Sequence, residues 1–132
     1  LTQAPQDNIS AFDLAALAAN LAESKKAIDT LVLDTGKVSY LADYFVICSG
    51  ESPAQIRTIA DEIEQAFKKR GQVRLGTEQD KTYKWCLLDY GDVVIHVMHR
   101  NERQFYQLEN FWSHANVVAP EQWVNLQLQE AS

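Results

Sequence analysis

Apolar positions along this chain change their period several times, and each change marks an element. Leu14, Leu17, Ala18 and Leu21 recur at helical spacing and predict a helix from about Asp13 to Ser24, with Ser10 as N-cap and Asp13 three residues later. Ile28 to Leu33 reads as a strand. The stretch from Asp34 to Asp43 is polar, with Gly36 as a turn residue, and Tyr44 to Cys48 is a second, more apolar strand. Ser52, Pro53 and Gln55 give the clearest helix start: a capping serine, a proline in the first turn and a glutamine completing a capping box. Ile56, Ile59, Ala60, Ile63 and Phe67 supply the buried stripe, and Gly71 the stop.

A short strand is expected near Val73 to Leu75. Tyr83 to Asp89 and Asp92 to Met98 then form a hairpin through Tyr90 and Gly91. A last helix starts near Arg100 or Glu102 and carries Phe105, Leu108, Glu109 and Trp112. Asn116 to Pro120 is expected to turn, leaving Trp123, Leu126 and Leu128 to pack onto the body or onto a partner. Helices alternate with strands before a hairpin follows, so the fold class is α/β, a mixed sheet flanked by helices. No repeat or linker divides it: the expected organisation is an N-terminal extension (1–11), one domain (12–113) and a C-terminal tail (114–132).

The hairpin separates two faces. A two-residue loop at Tyr90 and Gly91 pairs Asp89 with Asp92, Leu87 with Val94 and Trp85 with His96. One face then holds Cys86, Leu88, Val93, Ile95 and Val97, purely apolar and destined for the core. The other holds Trp85, Leu87, Asp89, Asp92, Val94, His96 and Met98. Covered by a helix, that face makes Trp85 ordinary core. Left open, it is an apolar patch rimmed by acids, the anatomy of an interface hot spot.

Size and charge narrow the kind of partner. At 132 residues the chain fits one independent core. No apolar run approaches the roughly 20 residues that span a bilayer, and Leu1 to Asn8 shows no charged-then-apolar signal pattern. Eighteen acids against twelve bases give a net charge of -6, the wrong sign for gripping phosphates or an anionic membrane and the right one for a basic protein. The basic cluster Lys68, Lys69, Arg70 and Arg74 sits at the end of a predicted helix, where cations favour the helix dipole. Cys48 and Cys86 lie within predicted strands without a CxxC spacing, as buried structural thiols of a reducing compartment such as the cytoplasm would.

Catalytic chemistry finds little foothold. Ser49, Gly50, Glu51 and Ser52 between a strand and a helix have the layout of an anion site and loosely resemble the Gly-Ser turn of nucleotidyltransferases. Those enzymes hold magnesium with paired carboxylates on one strand face. Here Asp89 and Asp92 flank a tight turn instead, and Glu51 opposes a phosphate. A nucleotide-binding domain using the Gly50 turn is therefore the weaker alternative. His96 and His99 invite a metal reading with His114, but they fall on opposite faces of a strand and no carboxylate or cysteine sits at a conventional zinc spacing from them. No catalytic residue, metal or cofactor is expected.

Three motifs in order carry a resemblance. They are Ala42 through Gly50 (ADYFVICSG), Trp85 through Val97 (WCLLDYGDVVIHV), and Arg103 through Glu109 (RQFYQLE) with Trp112. Together they resemble the ribosomal silencing factor (Iojap) family, over about Phe12 to Trp112. The family often shows Glu-Gly before the tryptophan; here Glu78 is followed by Gln79. The resemblance implies a nucleotidyltransferase-like fold without catalytic equipment. It implies binding to ribosomal protein L-fourteen on the large ribosomal subunit, obstruction of small-subunit joining, repression of translation and a link to large-subunit assembly. It also implies a homodimer when free, no membrane and little direct nucleic-acid binding, in the cytoplasm or an organelle. Carried onto this chain, the partner-binding residues are Trp85, Leu87, Asp89, Tyr90, Asp92, His96, Met98 and Arg103. Tyr106, Glu109 and Trp112 support them, with Tyr106 and Glu109 equally suited to fixing the last helix to the sheet.

Overall fold

A computed structural model describes residues 9–36, 42–79, 82–107, 110 and 115–124. Helix α1 (Ala11–Ser24) starts where Ser10 accepts a hydrogen bond from the Asp13 backbone N–H at 3.0 Å. Its sheet-facing side is lined by Ala15, Ala18, Ala19 and Ala22, while Leu17 and Leu21 keep some exposure, so the buried stripe is rotated from the leucine spacing. Alanines bring the helix axis close to the sheet and leave the leucines to fill its flanks.

Strand β1 (Ile28–Asp34) carries a bulge between Ile28 and Leu31, where Asp29 takes φ +53°. Strand β2 (Tyr44–Gly50) follows and leads into helix α2 (Pro53–Lys69). Ser52 Oγ accepts from the Gln55 N–H at 3.1 Å, as the capping pattern predicts. The return bond goes one residue further back than a capping box requires, from the Glu51 N–H to Gln55 Oε1 at 2.8 Å. Gln55 Nε2 also donates to the carbonyls of Lys25 and Lys26 at 3.0 and 2.9 Å, so one side chain joins the start of α2 to the end of α1. Ile56, Ile59, Ala60, Ile63 and Phe67 are all buried. The helix ends in a Schellman arrangement: Gly71 at φ +73° donates to Lys68, and Gln72 to Phe67.

Next come β3 (Gly76–Gln79), β4 (Trp85–Asp89) and β5 (Val93–His99), then helix α3 (Arg100–Tyr106), β6 (Asn116–Val117) and the short helix α4 (Pro120–Trp123). The sheet order is β3-β4-β5-β2-β1-β6, with β2 and β5 parallel and the other pairs antiparallel. The mixed α/β architecture is the expected one, with local differences. Val73 and Leu75 are highly exposed, and the edge strand begins after them. Helix α3 ends at Tyr106, where Gln107 turns left-handed at φ +48°; Leu108, Glu109 and Trp112, expected on the same helix, lie outside the described residues. Asn116 and Val117 form a strand against β1 instead of a turn, and Trp123 is buried against α1, its carbonyl held by Asn20. Leu126 and Leu128 lie outside the described residues.

The main core lies between one sheet face and helices α1 and α2. Cys48 and Cys86 are both in it, and each is the cross-strand neighbour of Val97, one from either side. Two strand spacings put their Cα atoms roughly 10 Å apart, beyond the ~7 Å limit for a disulfide. Burial pushes the Cys48 thiol up to about 12 and the Cys86 thiol to about 11. Both should therefore resist a thiol reagent in native buffer and react completely in denaturant, with a titration of free thiols as the measurement. Gln55→Ala removes the reciprocal cap and the link to α1, and should cost about 1–2 kcal/mol in urea unfolding.

Candidate docking site

The hairpin turns on Gly91 and Asp92. Gly91 has φ +86°, and the Asp92 N–H donates back to the Tyr90 carbonyl at 3.2 Å, the three-residue bond of a γ-turn centred on the glycine. Asp89 Oδ1 accepts from the Gly91 N–H at 2.8 Å, and the Tyr90 N–H donates to the Val93 carbonyl at 3.0 Å. The turn thus sits one residue later than the expected Tyr90–Gly91 loop, and every cross-strand partner moves by two. Asp89 faces Val94, Leu87 faces His96 and Trp85 faces Met98. An even shift leaves both faces intact.

On the helix side, Cys86, Leu88, Val93, Ile95 and Val97 have no exposed surface, as the alternation predicts. The other side is open only in part. Trp85, Leu87 and Asp89 on β4 are partly exposed and Asp92 is exposed, whereas Val94, His96 and Met98 on β5 are buried. Strand β5 lies between β4 and β2, and α3 packs on β5 and β2, so this face closes toward the middle of the sheet. Leu33, Ala42, Phe45, Ile47 and Val94 make a second apolar cluster there, with Leu87 against its margin.

Several expected contacts change role as a result. Met98 is fully buried and His96 only 4% exposed, so neither offers contact surface in this conformation. Tyr90 belongs to the helix side, its ring 4.6 Å from that of Phe67. Arg103 is buried; its guanidinium donates to the Asp29 carbonyl and, at 3.2 Å, to Ser49 Oγ. It ties α3 to the bulge of β1 and the end of β2. The bulge was not legible in the sequence, because the outward carbonyl of Asp29 depends on a left-handed backbone that no pattern signals. The Tyr106 side chain, Glu109 and Trp112 lie outside the described residues.

The face is organised by a pair of rings. The Trp85 indole N–H donates to His96 Nδ1 at 3.1 Å, with ring centroids 5.9 Å apart. An indole can only donate, so Nδ1 is the acceptor and the neutral imidazole carries its proton on Nε2. That Nε2 is buried and has no hydrogen-bond partner among the described residues. The Phe45 ring lies 5.3 Å from the imidazole. Burial pushes the imidazole pKa down to about 4.

The turn after β2 shows a different use of space. A side chain at Gly50 would meet Ile56 Cγ1 at 3.0 Å and Gln55 Oε1 at 3.3 Å, so the chain's own residues fill the cradle a phosphate would need. Glu51 pairs with Arg100 at 3.2 Å. A polar cavity of about 530 Å³ opens beside it, lined by Asp29, Ser49, Arg100, Arg103, Gln104 and Gln107. Asp29 is the one carboxylate lining it among the described residues, so two carboxylates for magnesium do not come together there. Nor does any group of three potential metal ligands occur among the described residues.

The family model for "Ribosomal silencing factor during starvation" matches residues 8–132. The chain belongs to this ribosomal silencing factor family. The Bacillus subtilis protein named ribosomal silencing factor is 43% identical over 100 residues, 75% of this chain and 84% of its relative. The Halalkalibacterium halodurans protein of the same name is 38% identical over 106 residues, 80% and 91% of the two chains. A crystal structure of a Chromobacterium violaceum protein superposes with a TM-score of 0.74 at 27% identity, covering 93% of each chain. The family extent takes in β6, which pairs with β1, and α4, which packs against α1.

A buried imidazole gives this domain an acid sensitivity of definite sign. The folded pKa of about 4 lies below the ordinary value of 6.5, so between these pH values the unfolded chain binds a proton that the folded one refuses. The contribution is intact above pH 6.5 and is lost as pH falls through about 4, on the order of 3 kcal/mol. Urea unfolding from pH 7 to 4 should show His96→Phe losing correspondingly less stability than the parent. Equal slopes would mean that the imidazole is not desolvated as described.

Proposed function

We propose that this chain docks on the large ribosomal subunit through ribosomal protein L-fourteen, with Trp85 and Leu87 at the centre of the contact. Asp92, and Asp89 beside its turn, form an acidic rim. The bound domain occupies space that the small subunit needs, so joining fails and translation falls. Free of the ribosome, the chain pairs as a homodimer, and it acts in the cytoplasm without a catalytic step.

Membership of the silencing-factor family supports the ribosome as the target. The observation that carries the choice of surface is that Trp85 and Leu87 retain exposure on a face otherwise closed toward β5. An aromatic anchor with aliphatic surroundings and polar edges is where interface energy concentrates. The net charge of -6 and the hairpin acids suit a basic protein, and steer encounter more than they add affinity.

Light scattering on mixing of isolated ribosomal subunits tests the mechanism: excess protein should slow or abolish joining. An unchanged joining rate would remove the anti-association role. In co-sedimentation with large subunits, Trp85→Ala should weaken binding by more than about 1 kcal/mol, roughly fivefold. Asp92→Lys should mainly slow association and lessen its salt dependence.

A further inference from the structure

His96 is an expensive residue where it stands. It is 96% buried by difference from its 4% exposure, its Nε2 has no hydrogen-bond partner among the described residues, and Phe45 and the sheet enclose it. An apolar ring at this position would avoid burying an unmet donor. What the imidazole supplies that a phenyl ring lacks is the Nδ1 lone pair that receives the Trp85 indole at 3.1 Å. The opposite strand enforces the meeting: Leu87 is the direct cross-strand neighbour of His96, and Trp85 lies diagonally two residues away on the same face.

We propose that His96 is the positioning residue of the docking face, fixing the orientation in which Trp85 is presented to its ribosomal protein partner. The inference rests on the docking reading above and deepens it: His96 acts through the indole without touching the partner. A fixed indole enters the complex with less rotamer freedom left to lose, which is how preorganisation raises affinity. The residue trades folding stability for a ready binding surface, a pattern found where function and packing compete.

The test separates positioning from structural support. His96→Phe keeps a flat ring and removes the acceptor. It should leave the urea midpoint at pH 7 unchanged or raised while weakening large-subunit binding by roughly five- to tenfold, the worth of one hydrogen bond. His96→Asn, whose Oδ1 occupies the place of Nδ1, should restore most of the affinity. In an NMR spectrum, the Trp85 indole N–H proton should move upfield in His96→Phe. Trp85→Phe removes the donor together with part of the anchor, and on that background His96→Phe should weaken binding no further than Trp85→Phe alone.

If His96→Phe binds as tightly as the parent while Trp85→Ala does not, the positioning role is wrong and the docking reading stands. If Trp85→Ala also binds normally, both are wrong. Should His96→Phe fail to unfold cooperatively, His96→Leu, which also lacks an acceptor, decides: parental affinity there overturns the proposal.

Discussion

The parallel pairing of β2 with β5 governs which side chains of this domain can reach another molecule. Nearly every residue of the two strands is buried, as parallel strands covered on both faces require. Helices α1 and α2 close one side; α3 and the cluster around Phe45 and Ile47 close the other. Strand β5 is therefore interior even though it is half of a hairpin. Moving outward to β4, the second face regains exposure at Trp85 and Leu87, as it does on the opposite flank at Leu31 and Val117. The position of one strand in the sheet, more than the chemistry of its residues, separates the potential contacts from the residues that hold them.

This separation accounts for what could be read in advance. Caps and stops are local chemistry, and Ser10, Ser52 and Gly71 occupy the expected places because their neighbours within four residues decide the geometry. Face membership on the hairpin was also legible, since alternation survives any even shift of register. The register itself was not. It depended on whether Gly91 would be the first or second residue of the turn, and Asp89 decides this by holding the Gly91 N–H. Coverage was harder still, because alternation names a face without naming what lies on it. Met98 and His96 share a face with Trp85, and only the sheet order shows that β5 is central. Arg103 illustrates the same limit: a basic residue in a recognisable motif turns out to be a buried brace between α3, β1 and β2.

Electrostatics divides along the same line. The exposed acid of the turn, Asp92, is available to a partner through its side chain, while its backbone carbonyl receives the N–H groups of Asp43 and Tyr44. Asp89 is partly engaged by its own turn, so its value to a partner is lessened by what it already supplies to the hairpin. In the docking proposed above, charge at this edge serves to steer toward a cationic neighbour, with the durable contact left to the indole and Leu87. Such a division suits a protein whose net charge would repel bare nucleic acid.

The Trp85–His96 pair joins these two accounts. Because β5 is sealed, its histidine meets neither solvent nor partner and stays neutral, the form in which Nδ1 can accept. Because β4 is half open, its tryptophan keeps surface outside while its N–H is engaged inside. Moving His96 to an exposed strand would hydrate the imidazole and protonate part of the population, so that water and a proton compete with the indole for Nδ1. Moving Trp85 to the sealed strand would bury the anchor with the core. The arrangement needs one ring on each strand, and an antiparallel pair at the boundary between closed and open sheet provides that placement.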